Sequence, residues 1–438
     1  MLPGGRLLRH AGFRNLFWGQ VVSQLGDAFY FLVFMFVIDR ETKSPLFVGI
    51  VMAAQALPYL LLAPAAGVAA DRFDRRRILY GLDMAAAALM GGLAVAMALG
   101  FAPAPIFLAC FAFVLACLNV FFAPARSAAI PRMVPAEEFQ EAQGLLLATQ
   151  QLTMLVGVGL SAGVLGVVER VSGSNFLLYA VVINALSFGV SSMFLSRLPS
   201  IVPERESHEE KPKFIEGWQA IQADPFMRIG LPMLTLMNLV FAGFYPVYLE
   251  TNRSWFGGQF YTVAIIEFAF FGMSMLCSLW VAKRAVQRVG LAFVVGLAGT
   301  GLSVAAMAGG QIYLVYVLLN VVCGLFLPWV TIPINTYIGL AFPDAVRGRV
   351  AAVLGATQVG IQPLGMLGVS AVLAAVGLQN VYLVIGLVCA IPALLMLLSG
   401  PFRASRMPTP TLAPASHSAP IQQTSVGTPS PDNPPKDA

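Results

Sequence analysis

Four ionisable side chains, Asp27, Asp83, Arg126 and Glu267, each interrupt a long apolar run. If those runs cross a bilayer, each charge costs ~2.5–3.5 kcal/mol or more, so each is a candidate for function or for a compensating pair. Asp27 lies roughly 20 Å deep, counted at about 1.5 Å per residue from Arg14, and no cation is near it in sequence. A carboxyl there could take up and release a proton as its surroundings alternate between membrane interior and water. The structural alternative is a carboxyl held by local hydrogen bonds near Ser23 and Gln24. Glu267, mid-run, takes the same two readings. Asp83 and Arg126 fall at matching depths, roughly 9 and 8 Å, on consecutive segments. This predicts a structural or gating ion pair, with an anion-binding or proton-coupling role as the alternative for Arg126. Glu250 is close enough to a segment end to be solvated.

Amides recur at similar depths, and most such residues hydrogen-bond helices together. The other chemistry in the chain is sparse. Its five cysteines all lie in apolar runs without a CxxC, and its three histidines (His10, His208, His417) lie in polar stretches. Neither a metal centre nor a disulfide framework is expected. There is no GxxxxGK[ST] phosphate loop, no HExxH and no GxSxG in a strand–turn–helix context. That argues against an enzyme and against a self-contained ATP-driven pump. No cofactor and no nucleic-acid partner are expected.

The elements that must position these residues are apolar helices. Of 438 residues, 58% are hydrophobic and 11% charged, with a mean hydropathy of +0.79. A soluble chain carries about 25% charged residues. Segments long enough to span a bilayer fall near 15–38, 46–70, 78–99, 104–127, 143–168 and 175–196. After a polar stretch come 229–249, 259–281, 290–308, 311–334, 350–376 and 379–400. The organisation expected is a six-helix bundle over 1–196, a linker over 197–228, a second bundle over 229–402 and a disordered tail over 403–438. Within the linker, Phe214, Trp218 and Ile221 have the spacing of an amphipathic helix lying on the membrane surface.

Charge distribution tests this division independently. With both termini cytoplasmic, only Arg40, Lys43, Arg170 and Arg253 of the 26 Lys and Arg residues fall on the outer side. The first segment is read as a retained helix rather than a signal peptide, because Asp27 interrupts it and no cleavage site ends it.

The stretch GVAADRFDRRR (67–77), between the second and third segments, resembles the signature loop of the major facilitator superfamily, GxLADRxGRR in outline. Gly67, Ala70, Asp71, Arg72, Arg75 and Arg76 match, while Ala69 replaces leucine and Asp74 replaces glycine. Three further stretches resemble the branch containing the enterobactin exporter and the macrolide efflux proteins. They are FRNLFWGQVVSQLGDAF (13–29), PARSAAIPRMVPAEEFQEAQGL (124–145) and RGRVAAVLGATQVGIQPLG (347–365). The resemblance implies an all-α fold of twelve transmembrane helices in two pseudo-symmetric bundles, resident as a monomer in a bacterial inner membrane. It implies a conformational latch at Gly67, Asp71, Arg72, Arg75 and Arg76, and a central cavity lined by the first, fourth, seventh and tenth helices. Gln24, Asn119, Asn238 and Asn320 are the cavity candidates, with Phe29, Phe31, Phe241, Phe244, Tyr245 and Trp329 as an apolar wall. The function implied is export of an amphiphilic small molecule, drug- or siderophore-like, against protons carried by Asp27 and Glu267. Val158 stands where antiporters of this branch carry a proline. That leaves open an exporter without proton coupling, a lysolipid flippase and, from another class, a transporter-like sensor.

Overall fold

Long apolar stretches punctuated by Pro and Gly fold as helices, because in lipid the backbone must satisfy its own hydrogen bonds. The computed structural model describes residues 6–135, 138–172, 176–202, 214–282, 286–342 and 344–408. The first half holds α1 (Ala11–Thr42), α2 (Pro45–Arg72), α3 (Arg75–Ala98), α4 (Pro105–Ala129), α5 (Phe139–Ser172) and α6 (Phe176–Leu195). The short α7 (Phe214–Ala223) precedes α8 (Pro225–Ala242), α9 (Phe244–Trp255), α10 (Phe260–Ala282), α11 (Val289–Ala306) and α12 (Tyr313–Phe326). Then follow α13 (Pro328–Ala341), α14 (Asp344–Val376), α15 (Leu378–Leu395) and α16 (Gly400–Ala404).

Among the described residues eleven spans are long and apolar enough to cross a membrane, with α8–α9 and α12–α13 each forming one span. The 34-residue α5 is the twelfth. The linker residues 203–213 and the tail from 409 lie outside the described residues.

Packing repeats between the halves. In the first, α1 packs on α5 and α6, α3 on α4 and α6, and α2 on α4. In the second, α8 packs on α14 and α15, α11 on α12 and α15, and α10 on α12. Every one of these first-half pairs has its counterpart six spans later. The seams obey the same symmetry: α2 lies along α14 and α5 along α10, each the second span of one half on the fifth of the other.

Two spans expected to be continuous are broken. At Gly243 the chain departs from helical geometry between α8 and α9. A Cβ there would run into Val369 and the Gly365 carbonyl of α14, so a side chain would push α14 away. The second break precedes Pro328, the first residue of α13. Discontinuous helices near the midplane are where transporters place binding sites.

The start of α1, the end of α15 and α7 share one face, the linker face. At the opposite face, Arg253 at the end of α9 reaches across the seam to Asp39 of α1, Nη1 to Oδ1 3.1 Å. Phe31 of α1 meets Tyr245 of α9 with ring centroids 5.4 Å apart, and Phe36 of α1 meets Phe260 of α10 at 5.1 Å. The halves are joined at that face.

Candidate functional site

Asp27 lines a cavity of about 230 Å³ walled by α1, α2, α3, α4 and α6, together with Tyr30, Gln55, Tyr59, Asn119 and Asn184. Its carboxylate accepts a hydrogen bond from Asn184 Nδ2 at 3.2 Å. Ser187 in turn donates to Asn184 Oδ1 at 3.0 Å, which fixes the amide with its NH2 toward Asp27. The close approach of α1 and α6 that makes this possible depends on Gly26, where a Cβ would overlap both Ser187 and Asn184. No cation lies within ion-pair distance of Asp27 among the described residues.

Glu267 of α10 lines a second cavity, also about 230 Å³, in the other half. Phe241, Phe244, Tyr245 and Tyr248 flank it on the side of the Gly243 break, with Asn320 and Cys323 on α12 and Met52 contributed by α2. Glu267 is buried and makes no hydrogen bond among the described residues. The Phe31–Tyr245 pair separates the two cavities, since each ring belongs to one lining. Three polar atoms at these linings are buried without partners: Tyr30 Oη and Gln55 Nε2 in the first, Tyr245 Oη in the second. Buried polar groups are normally satisfied, so these are unused contacts for water or a ligand.

Of the residues singled out from sequence, Asp27, Asn119, Glu267, Phe241 and Asn320 therefore face cavities, together with Phe31, Phe244 and Tyr245. Others do not. Gln24 lines neither cavity. It donates to Gln20 Oε1 at 3.2 Å and accepts from Thr153 at 3.1 Å, tying α1 to α5. Asn238 donates back to its own helix at the Leu234 carbonyl, Phe29 is core, and Trp329 stacks edge-on against Trp280.

The expected Asp83–Arg126 ion pair is not formed. Arg126 Nη1 donates to Gln20 Oε1 of α1 at 2.7 Å. Asp83 is buried beside Ser191 of α6, with its Oδ2 unpartnered. The two side chains lie on different faces: α3 turns Asp83 to α6, while α4 turns Arg126 to α1.

In the signature loop, Arg75 donates to the Ala128 carbonyl at the end of α4, 3.0 Å, and to the Ala70 carbonyl at the end of α2, 3.2 Å. Arg76 donates to the Ser196 carbonyl just beyond α6 at 2.5 Å. Cationic groups at helix C-termini meet unsatisfied carbonyls and the negative dipole end. Arg72 is exposed, Gly67 has open space around it, and the Asp71 side chain lies outside the described residues.

Asp74, the departure from the glycine of the signature, caps α3 by accepting from Arg76 N–H at 3.0 Å. It also accepts from Ile201 N–H at 3.0 Å and Ser200 Oγ at 2.9 Å, so it clasps the chain leaving α6. Partial burial works to raise its pKa, but these hydrogen bonds and the Arg77 charge outweigh it and hold the carboxyl below its ordinary value.

Sequence reasoning missed the group at the face opposite the linker. Arg253 pairs with Glu250 as well as Asp39, and Ser254 Oγ donates to Glu250 at 2.6 Å. Glu250 is thus engaged rather than merely solvated. Its i,i+3 spacing to Arg253 was the available signal.

A Major Facilitator Superfamily profile matches residues 16–358. Macrolide efflux protein A of Streptococcus pyogenes is 22% identical over 366 residues, covering 81% of this chain and 87% of that one. Macrolide efflux protein A of Enterococcus faecalis is 22% identical over 321 residues, 71% of this chain and 96% of that one. A POT family transporter solved in complex with 5-aminolevulinic acid superposes with a TM-score of 0.68 at 13% identity, over 90% of this chain and 97% of that one. That likeness bears on fold alone. With the profile match spanning most of a twelve-span, two-bundle chain, this multi-pass membrane protein is a transporter belonging to the Major Facilitator Superfamily.

Proposed function

We propose that the chain is a secondary exporter of an amphiphilic, drug-like small molecule, working by alternating access and coupled to proton influx. The observation that carries this reading is one carboxyl in each half, Asp27 and Glu267, facing a cavity with no cation partner among the described residues. An unpaired carboxyl at membrane depth persists where it binds protons or substrate. In this reading each carboxyl takes up a proton from the outer side as substrate leaves there, and releases it to the inner side as the next substrate binds. The apolar lining at Phe241, Phe244 and Tyr245 suits a bulky hydrophobic body, and the relatives named for macrolide efflux support a drug-like cargo.

The positive charge at the linker face supports cytoplasmic termini, and the bacterial relatives support residence in a bacterial inner membrane; in this reading the transporter works as a monomer. The loop carrying Gly67, Asp71, Arg72, Arg75 and Arg76 is the latch for the state closed at that face.

The test is proteoliposomes with an imposed pH gradient and a macrolide or a cationic dye as probe. Addition of probe should collapse the gradient in wild type. Asp27→Asn should abolish proton movement, and Glu267→Gln should reduce it at least tenfold. Probe flux unchanged by the gradient and by both substitutions sinks proton coupling. It would leave the second reading, an exporter or lysolipid flippase without protons, which the valine at 158 supports.

A further inference from the structure

A third cavity, the largest of the three at about 410 Å³, lies outside the two carboxyl sites, between α7, α8 and α14. Its walls include Trp218 of α7, Pro232, Thr235 and Leu236 of α8, and Thr357 and Ile361 of α14. Both hydroxyls turn away from it. Thr235 donates to the Leu231 carbonyl, and Thr357 to the carbonyls of Val353 and Leu354, so these two side chains present their methyl groups, and Gln222 of α7 is the amide in a lining otherwise of apolar surface. Its α8 and α14 walls belong to membrane spans. Its α7 wall is an amphipathic turn that leaves Ile215 54% and Trp218 39% exposed. Such a helix lies at the depth of headgroup and upper acyl chain.

The rim is cationic. Arg228 stands one turn before Pro232 on the same face of α8, exposed and with no acidic partner among the described residues. Pro232 cannot donate to the Arg228 carbonyl, so the helix is weakened at the mouth of the groove. Among the described residues, Glu216 of α7 pairs with Arg349 of α14, and Asp224 caps α8 and accepts from Tyr337 at 2.7 Å. An apolar slot at membrane depth with an exposed arginine at its interfacial end has the charge and polarity profile of an anionic lipid.

The geometry points to a binding site for an anionic phospholipid of the leaflet at the linker face, one acyl chain in the groove and the phosphate on Arg228. The site is separate from the substrate cavities and holds whether or not transport is proton-coupled. Trp218 is the reporter. A variant keeping it as sole tryptophan (Trp18, Trp255, Trp280 and Trp329 each →Phe) would be reconstituted in phosphatidylcholine vesicles. These would contain a minor fraction of brominated phosphatidylglycerol or, in parallel, brominated phosphatidylcholine.

One arginine at the interface favours an anionic lipid by about fivefold, so brominated phosphatidylglycerol should quench Trp218 about fivefold more effectively than its neutral analogue. Arg228→Gln should bring the two to parity, and Thr235→Phe, which fills the groove, should lower quenching by both. Equal quenching by the two lipids, or a preference that survives Arg228→Gln, overturns the site. So does displacement of the brominated lipid by a macrolide, which would make the groove a substrate site. Should the multiple tryptophan replacements unfold the chain, melting of the otherwise unaltered protein in detergent answers the same question. Phosphatidylglycerol should raise the melting temperature of wild type but not of Arg228→Gln, and an equal rise in both overturns the proposal.

Discussion

At the scale of single residues, Asp74 shows a signature departure doing structural work. Its carboxyl accepts three hydrogen bonds, two from N–H groups and one from a hydroxyl, joining the start of α3 to the chain beyond α6. Its folded pKa lies below the ordinary value, so its ionised form stabilises the fold. That contribution is complete above the unfolded value of about 3.9 and is lost as pH falls through the folded value. Asp74→Ala should lower the melting temperature at pH 7 by removing a cap worth about 0.5–2 kcal/mol. The gap from wild type should narrow as the buffer is taken below pH ~4; a gap that stays constant on acidification would mean the carboxylate form is not what matters. The intramembrane residues were legible in the sequence because each is costly to bury. Their partners were not. Asp83 and Arg126 were placed at the same depth, but depth follows from counting residues, whereas azimuth follows from how side chains mesh between helices. The same gap in knowledge sent Gln24 to the cavity when its neighbours are Gln20 and Thr153.

At the scale of elements, the sequence announced spans by length and apolarity, and the expected twelve agree with eleven apolar spans plus the 34-residue α5, a count that the Lys and Arg distribution supported where hydropathy is weaker. It did not announce the breaks at Gly243 and before Pro328, since a glycine or proline inside an apolar run is also tolerated in an unbroken transmembrane helix. The resemblance to the macrolide-efflux branch is borne out by the relatives, yet nothing in it located the α1–α6 contact that orients Asn184. That contact makes a prediction at this scale. Gly26→Val must separate α1 from α6, because its side chain would overlap Ser187 and Asn184. An overpacking cost of about 1–3 kcal/mol is expected, seen as a lower melting temperature together with loss of transport even though Asp27 is intact. Gly81→Ala on α3, where a Cβ meets nothing within 4 Å, should leave both unchanged. If Gly26→Val melts like wild type, the close approach does not position the carboxyl.

At the scale of the whole molecule, two halves that repeat each other's packing need only a change of angle at the α2–α14 and α5–α10 seams to expose alternate faces. What holds this state is concentrated at the face opposite the linker. Arg253 uses Nη1 for Asp39 across the seam and Nη2 for Glu250 on its own helix. Only the first bond opposes opening. Phe31–Tyr245 and Phe36–Phe260 add apolar contact on the same side. The two carboxylates should therefore differ in effect although they share one arginine. Spin labels on Arg40→Cys and Gln259→Cys, both exposed sites flanking the seam, can follow it once the five native cysteines are replaced. Asp39→Asn should add a longer-distance population as the closed state loses its cross-seam bond, each 1.4 kcal/mol lost being about tenfold in the ratio of states. Glu250→Gln removes a bond within one helix and should change the distribution far less. Arg253→Lys should fall between them, because a point charge on a flexible stem cannot hold both carboxylates as a planar fork does. Equal shifts from Asp39→Asn and Glu250→Gln would show that the charge cluster acts through local helix stability and that the aromatic pairs alone keep this face shut.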